Sequence, residues 1–507
     1  MLALQRIGLG LFTVGFAIWI FTLTLSQFQL TGSVIDKVVK PEHRAIIHQR
    51  TASMIGKTYT NNWSFISDFR RTINTYNDEM RAQKAWDTVI NDNYVFDVTK
   101  ESSLGMLIGS ANSWLWFWLS IGLAAIGGLL YALAGLKRLP GINNNYLYRH
   151  PATDRGWIGI ALGVFLIGFY VALYFYPEYL TNWVLLVDPI SHALNSGRDV
   201  GPAATRWFLY GFLYTLVILV MGVRMLINYR HSPYQQVRTA SVMFFQTSFA
   251  FLIPEIMQRL NQPYQDLKNI WPLDYTFFFD YKISEKLQAG SLGIFMLVWG
   301  IALALVAVPV LTYFFGKRWY CSWVCGCGGL AETLGDPYRH LSDKSLKAWK
   351  FERVIVHSVL VFAVVMTALV LYTYFSGQGT VLGFLDSYNL RSTYGFYIGS
   401  IFAGVVGTGF YPVMGNRVWC RFGCPLAAYL GLVQRFRSRF RITTNGGQCI
   451  SCGNCSAYCE MGIDVKAYAQ RGQDIVRSSC VGCGICSSVC PRGVLNLELG
   501  PVSSRKI

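Results

Sequence analysis

Long runs of apolar residues recur along the chain at about 7–26, 113–136, 156–176, 207–227, 291–315, 354–375 and 394–413. Each approaches or exceeds the ~20 residues that a helix needs to cross a ~30 Å hydrocarbon core. The run 240–260 is more polar, carrying Gln246, Pro254, Glu255 and Arg259, but counting it brings the loop charges into register. The pattern predicts about eight transmembrane helices. The first run is too long for the apolar core of a signal peptide and no small-residue cleavage site follows, so it reads as a retained anchor. Between the first two runs, Phe65, Phe69, Ile73, Tyr76 and Met80 fall at near-helical steps, which predicts a mostly helical extramembrane segment over 30–107.

Charge sets the expected orientation. Lys and Arg crowd the loops 137–155, 224–238 and 317–353 and everything after Arg417, whereas 177–206 and 261–290 are mixed or acidic. By the positive-inside rule, both termini are expected in the cytoplasm, and the implied home is a bacterial inner membrane. The net charge of +17 therefore calls for no nucleic-acid partner. Hydrophobic residues make up 53% of the chain and charged residues 14%, which excludes an ordinary multidomain soluble protein. No nucleotide-binding glycine motif or hydrolytic triad is evident.

All 13 cysteines lie at or after Cys321. Eight of them form two consecutive runs, Cys449-x2-Cys452-x2-Cys455-x3-Cys459 and Cys480-x2-Cys483-x2-Cys486-x3-Cys490-Pro491. This is the bacterial ferredoxin spacing, in which three close thiolates hold one cubane and the fourth reaches to the other. The expected sets are Cys449, Cys452, Cys455 and Cys490 on one [4Fe–4S] cluster, and Cys480, Cys483, Cys486 and Cys459 on the second. Zinc sites favour C-x2-C pairs separated by a long gap, and disulfides do not suit a reducing compartment. One departure stands out: Glu460 follows Cys459 where the second run has Pro491.

A second pattern repeats after 99 residues. Gly316-Lys-Arg318-Trp-Tyr320-Cys321-x3-Cys325 matches Gly415-Asn-Arg417-Val-Trp419-Cys420-x3-Cys424-Pro425. Both copies follow an apolar run, so both are expected on the cytoplasmic face, each continuing into an interfacial helix. On a helix, a C-x3-C step puts two thiols on one face. Cys321, Cys325, Cys420 and Cys424 then have four readings: a third metal centre (iron–sulfur or copper), redox-active dithiols, small packed hydrophobes, or a metal-free anchor for the tail. Cys327 adds a further thiol that the second copy lacks.

Apolar runs followed by C-x3-C-P, a hairpin, another C-x3-C-P and a two-cluster tail resemble the NosR/NapH/CcoG-type membrane polyferredoxins. The resemblance covers about Leu292–Leu499. It implies electron transfer from a quinone or cytoplasmic donor towards a respiratory or extracytoplasmic partner, with the eight tail cysteines as cluster ligands. The partners it implies are other membrane or periplasmic subunits, besides membrane lipid. The first motif lacks the family's proline, and 30–107 lacks a Ser-Gly-Ala-Thr flavin-attachment site, so no flavin is assigned.

The expected whole is an α-helical integral membrane protein of about eight transmembrane helices with a C-terminal cytoplasmic α+β domain of bacterial 2[4Fe–4S] ferredoxin type. It divides into an anchor (1–29), the outer segment (30–107), a four-span region (108–290), the repeat region (291–440) and the ferredoxin-like tail (441–507). Two rival roles are a copper-reducing or metal-centre maturation factor and a structural or redox-sensing subunit. Glu255, beside Pro254 and one turn before Arg259, is the leading intramembrane ionisable residue, read either as a proton relay or as a carboxylate paired with Arg259. His357 is a lone intramembrane histidine, so no bis-His haem is expected. A mobile quinone or a bound partner cofactor would be needed to bridge the bilayer. Arg417, Arg421, Arg435, Arg437, Arg439 and Arg441 read as a cytoplasmic surface for lipid or an acidic donor.

Overall fold

The computed structural model describes residues 2–85, 88–90, 92–105, 107, 110–137, 155–194, 204–381 and 385–501. Among them, seven helices are long and apolar enough to cross a membrane: Ala3–Thr24, Asn112–Lys137, Trp157–Phe175, Arg206–Asn228, Pro233–Arg259, Gly290–Phe315 and Leu346–Ser376. The polar run 240–260 is therefore part of a long helix. The run 394–413 departs from the expectation: the chain is helical from Ser387 to Gly409, but Gly395–Val406 is wound as a π-helix. Its glycines allow close packing, since a Cβ on Gly399 would come within 2.8 Å of the Tyr275 hydroxyl. Two other π turns, Gln246–Leu252 and Leu303–Ala307, lie just upstream of Pro254 and Pro309. Proline lacks an N–H and crowds the preceding turn, which loosens the ladder there.

The chain forms two compact units, Met1–Tyr131 with Val171–Leu213, and Ala132–Tyr170 with Tyr214–Ile507. In the first unit, helices Ala3–Thr24 and Asn112–Lys137 approach backbone to backbone: a Cβ on Gly8, Gly15 or Gly127 would overlap the facing helix. Small residues commonly permit such contact between apolar helices, where packing rather than water exclusion drives association. Helix Asn62–Ala82 appears where the periodicity places it, with the Asn61 side chain accepting from Ser64 N at 2.9 Å. It buries Phe65, Ile66 and Phe69 against Phe28, Ile35 and Ile47. A three-stranded antiparallel sheet, with Ser26–Gln29 between Thr58–Tyr59 and Ser103–Gly105, completes this unit. Strands this short carry too little alternation to be read from sequence.

The second unit carries every cysteine. The tail opens and closes on an antiparallel ribbon, Phe440–Thr444 paired with Leu495–Leu499, with Ile442 opposite Leu497. The two cysteine runs lie between its strands. Helices Pro233–Arg259 and Gly290–Phe315 are joined by a segment expected to be a plain outer loop. Instead, part of it folds back among the helices. The Trp299 indole donates to Leu267 O at 2.8 Å, the Trp271 indole donates to Thr367 Oγ1 at 3.0 Å, and Ile270 joins the core around the cysteines.

Candidate functional site

The two ferredoxin-type runs fold as near copies. Gly453 (φ +83°) and Gly484 (φ +73°) each start a four-residue helix, Asn454–Ala457 and Ile485–Ser488. Left-handed φ favours glycine at these turns. The fourth cysteine of each run accepts a backbone N–H four residues on: Ile463 N to Cys459 Sγ and Val494 N to Cys490 Sγ, both 3.4 Å. Cys449, Cys452, Cys455 and Cys490 line one cavity with about 360 Å³ of empty space. Cys459, Cys480, Cys483 and Cys486 line another of about 370 Å³. The fourth cysteine of each run thus sits in the cavity of the other. Burial pushes the Cys480 thiol up to about 11, and Cys455 likewise to about 11. Thiols in such surroundings give up their protons when a cationic core takes the charge, so the donor set fits iron–sulfur clusters.

The repeated C-x3-C motifs converge on a third cavity. Cys321, Cys325, Cys327, Cys420 and Cys424 line about 270 Å³ together with Leu273, Tyr320, Trp419, Leu426 and Ala427. Each copy opens on a glycine with positive φ, Gly316 (+68°) and Gly415 (+91°). Each closes with a cysteine at a helix N-cap: Cys325 before Gly326–Thr333 and Cys424 before Pro425–Arg437. Ala427 N donates to Cys424 Sγ at 3.4 Å. Both N-termini therefore face the sulfurs, and their unpaired N–H groups and dipoles favour a negative centre. Cys327 takes the place held by Leu426 in the second copy, 99 residues on, which makes the cavity asymmetric.

The first motif runs from the tail inward along the long helices: Ser322 Oγ donates to Val481 O at 2.9 Å, and the Trp323 indole donates to Tyr234 OH at 3.2 Å. Pro233–Arg259 begins against the ferredoxin-type tail, with Tyr234 OH donating to Gly482 O and Gln235 Nε2 to Cys483 O, both 2.8 Å. Gly326 lies against Gln246, whose Oε1 would be 2.7 Å from an added Cβ. Gln246 is thirteen residues further along this helix, which is roughly 20 Å at 1.5 Å per residue. Tyr429 OH donates at 3.1 Å to Ala304 O, near the middle of Gly290–Phe315. Both motifs, with the short helices that follow them, thus pack against the long apolar helices as well as against the tail.

Of the six arginines expected on a surface, Arg437 is exposed and Arg435 and Arg439 are half-buried, but the other three depart from the expectation. Arg417, Arg421 and Arg441 are buried, not displayed on a surface. Carboxylates inside the unit explain this. Arg417 pairs with Glu332 and, at 2.9 Å, with Glu460. Arg421 Nε donates to Glu352 at 3.0 Å. Arg339 joins Glu460 and also donates to Asp336 at 2.8 Å, while Arg238 pairs with Glu332. Sequence reasoning missed Glu332, Arg238 and Arg339; the substitution of Glu460 for a proline was the visible signal. Of the other candidates, Glu255 is buried and Arg259 exposed. His357 makes a local contact, its Nδ1 2.6 Å from Arg353 O.

Fold and site together describe a protein of ferredoxin type carried on apolar helices, and two families of that class match the chain. A 4Fe-4S binding domain matches residues 297–346 and 395–443. A 4Fe-4S dicluster domain matches 448–495. Among individual proteins, the chain is similar to one from Escherichia coli (strain K12) named "Putative electron transport protein YccM", 28% identical over 185 residues. That match covers 33% of this chain and 48% of the relative, so the chain spans about half the length of the curated protein it matches. No solved structure matches.

Proposed function

We propose that the chain is a multi-pass membrane electron-transfer protein with three iron–sulfur centres in series. The observation that supports this is one contiguous core containing three cavities, each lined by at least four cysteines. Cys449, Cys452, Cys455 and Cys490 would hold the outermost cluster, where Cys452 is exposed. Cys459, Cys480, Cys483 and Cys486 would hold the next, and Cys321, Cys325, Cys420 and Cys424 an interior one. Iron–sulfur clusters exchange single electrons, with potentials set by surrounding charge and hydrogen bonds. The chain supplies thiolates, aims two helix N-termini at the interior site and keeps water from it.

Charge asymmetry supports a bacterial inner membrane, with both termini and the ferredoxin-type tail in the cytoplasm. Electrons would then pass between a cytoplasmic or quinone donor and a respiratory or extracytoplasmic partner. An interior centre about halfway along the helices shortens what would otherwise be a ~30 Å gap. A copper-reducing role would use the same all-sulfur cavity, since soft thiolates bind Cu(I) as well as iron–sulfur cores. The similarity of both motif segments to a 4Fe-4S binding domain favours iron.

Iron analysis with anaerobic redox-titrated EPR tests this reading, comparing the wild type with a Cys321/Cys325/Cys420/Cys424→Ser variant. Three centres predict roughly twelve irons falling to about eight in the variant. Eight in both would leave only the tail clusters, and copper recovered at the cavity would favour the maturation role.

A further inference from the structure

Glu460 follows a cluster cysteine at the place where the second run has proline, and its carboxylate is completely buried. Asn416 Nδ2 donates to it at 3.2 Å, Arg339 Nη1 donates to the same oxygen, and Arg417 Nη2 lies 2.9 Å from the other. Arg417 is itself buried, and it reaches two cysteines that line the interior cavity. Its Nη1 donates to Cys321 O at 3.2 Å and lies 3.6 Å from Cys420 Sγ. One carboxylate thus connects the backbone of Cys459, in one cysteine set, to a guanidinium on the sulfur of another. Only two noncovalent contacts separate them.

We propose that Glu460 and Arg417 form a latch that seats the ferredoxin-type tail on the repeat cavity and holds an N–H donor on Cys420. Proline at 460 could supply neither contact. The inference rests on the third-centre reading and extends it: Arg417 is a positioning residue for the interior centre, and Glu460 acts on that centre by holding Arg417 and by its own negative charge. Hydrogen bonds to cluster sulfur raise a reduction potential, as does nearby positive charge. Replacing a buried arginine by lysine keeps the charge but gives up the planar fork that reaches Cys420, Cys321 and two carboxylates at once.

The test uses the full-length protein, purified anaerobically and titrated with dithionite, with iron content and EPR read for each centre. Arg417→Lys is expected to retain all iron and to lower the potential of the interior centre. Glu460→Gln removes a negative charge beside two centres. It is expected to raise the potentials of the interior centre and of the Cys459/Cys480/Cys483/Cys486 cluster. The cluster of Cys449, Cys452, Cys455 and Cys490, whose cavity Glu460 does not line, is expected to stay at its wild-type potential in both variants. Glu460→Pro, which restores the residue of the second run, is expected to raise amide exchange across 448–495 while the helix Leu346–Ser376 stays protected.

Unchanged potentials in both Arg417→Lys and Glu460→Gln, or equal shifts at all three centres, would overturn the proposal. So would loss of every cluster from all three variants, since the latch acts selectively. A wild type with only eight irons would instead defeat the third-centre reading, while leaving the exchange result of Glu460→Pro to judge the seating role alone.

Discussion

The tail cavities and the interior cavity hold similar cysteine sets but are assembled by opposite means. In the tail, three thiols of each set lie within seven residues, on loops pinned by short helices and a single ribbon. In the interior, two pairs 99 residues apart meet because helices on either side of them pack. The tail's buried apolar residues, among them Ile442, Ile463, Ile475 and Leu495, close around the cysteine cavities, so its order should depend on metal. The interior pocket is framed by long helices, which should hold its shape when metal is removed.

The strongest test of that contrast is iron removal. Anaerobic chelation should bring amide exchange in 448–495 close to that of an unfolded chain, while Gly290–Phe315 and Leu346–Ser376 keep their protection. Equal loosening of both regions would erase the distinction. Single substitutions probe it next. Cys486→Ser should lose about four irons and open the tail to protease, whereas Cys424→Ser should lose about four irons with the bundle still protected. Iron assay and limited proteolysis read both effects.

A smaller effect is expected from Gly328→Ala. The added Cβ would overlap the Cys321 carbonyl oxygen and crowd Arg417 Nη1, and overpacking of this kind costs about 1–3 kcal/mol. Interior iron should fall and thermal stability drop, while the tail EPR signals stay. The mildest is Asn61→Ala in the other unit. Loss of that N-cap costs about 1 kcal/mol and should lower the unit's thermal midpoint without changing iron content. A change in iron would mean that the units do not behave separately.

What the sequence makes legible follows the same division. Thiols separated by two or three residues declare their chemistry, because their neighbourhood is set by the local backbone. The repeat is equally visible, but its depth is not: Cys321 follows six residues after a long apolar run ends, which reads as surface until Gly326 is seen against Gln246. Arg417 and Arg421 read as surface charge because their partners, Glu332, Glu460 and Glu352, are 43–85 residues away. The segment after Arg259 reads as an exposed loop for a similar reason. Its Asp266 and Lys268 neutralise one another at 2.8 Å, so charge that suggests water travels inward as a pair. The π-wound stretch Gly395–Val406 shows that apolar composition fixes that a segment is helical more firmly than how it is wound.

If the interior cavity lies midway across a membrane, as the proposed reading has it, charge and voltage would be linked there. On the proposed reading, an electron resting there has crossed roughly half of the insulating layer. A full crossing is worth about 2.3 kcal/mol per 100 mV, so half is about 1.2 kcal/mol. That changes occupancy by about sevenfold per 100 mV. A centre held there would register the membrane potential directly, filling or emptying as the cell's energy state changes.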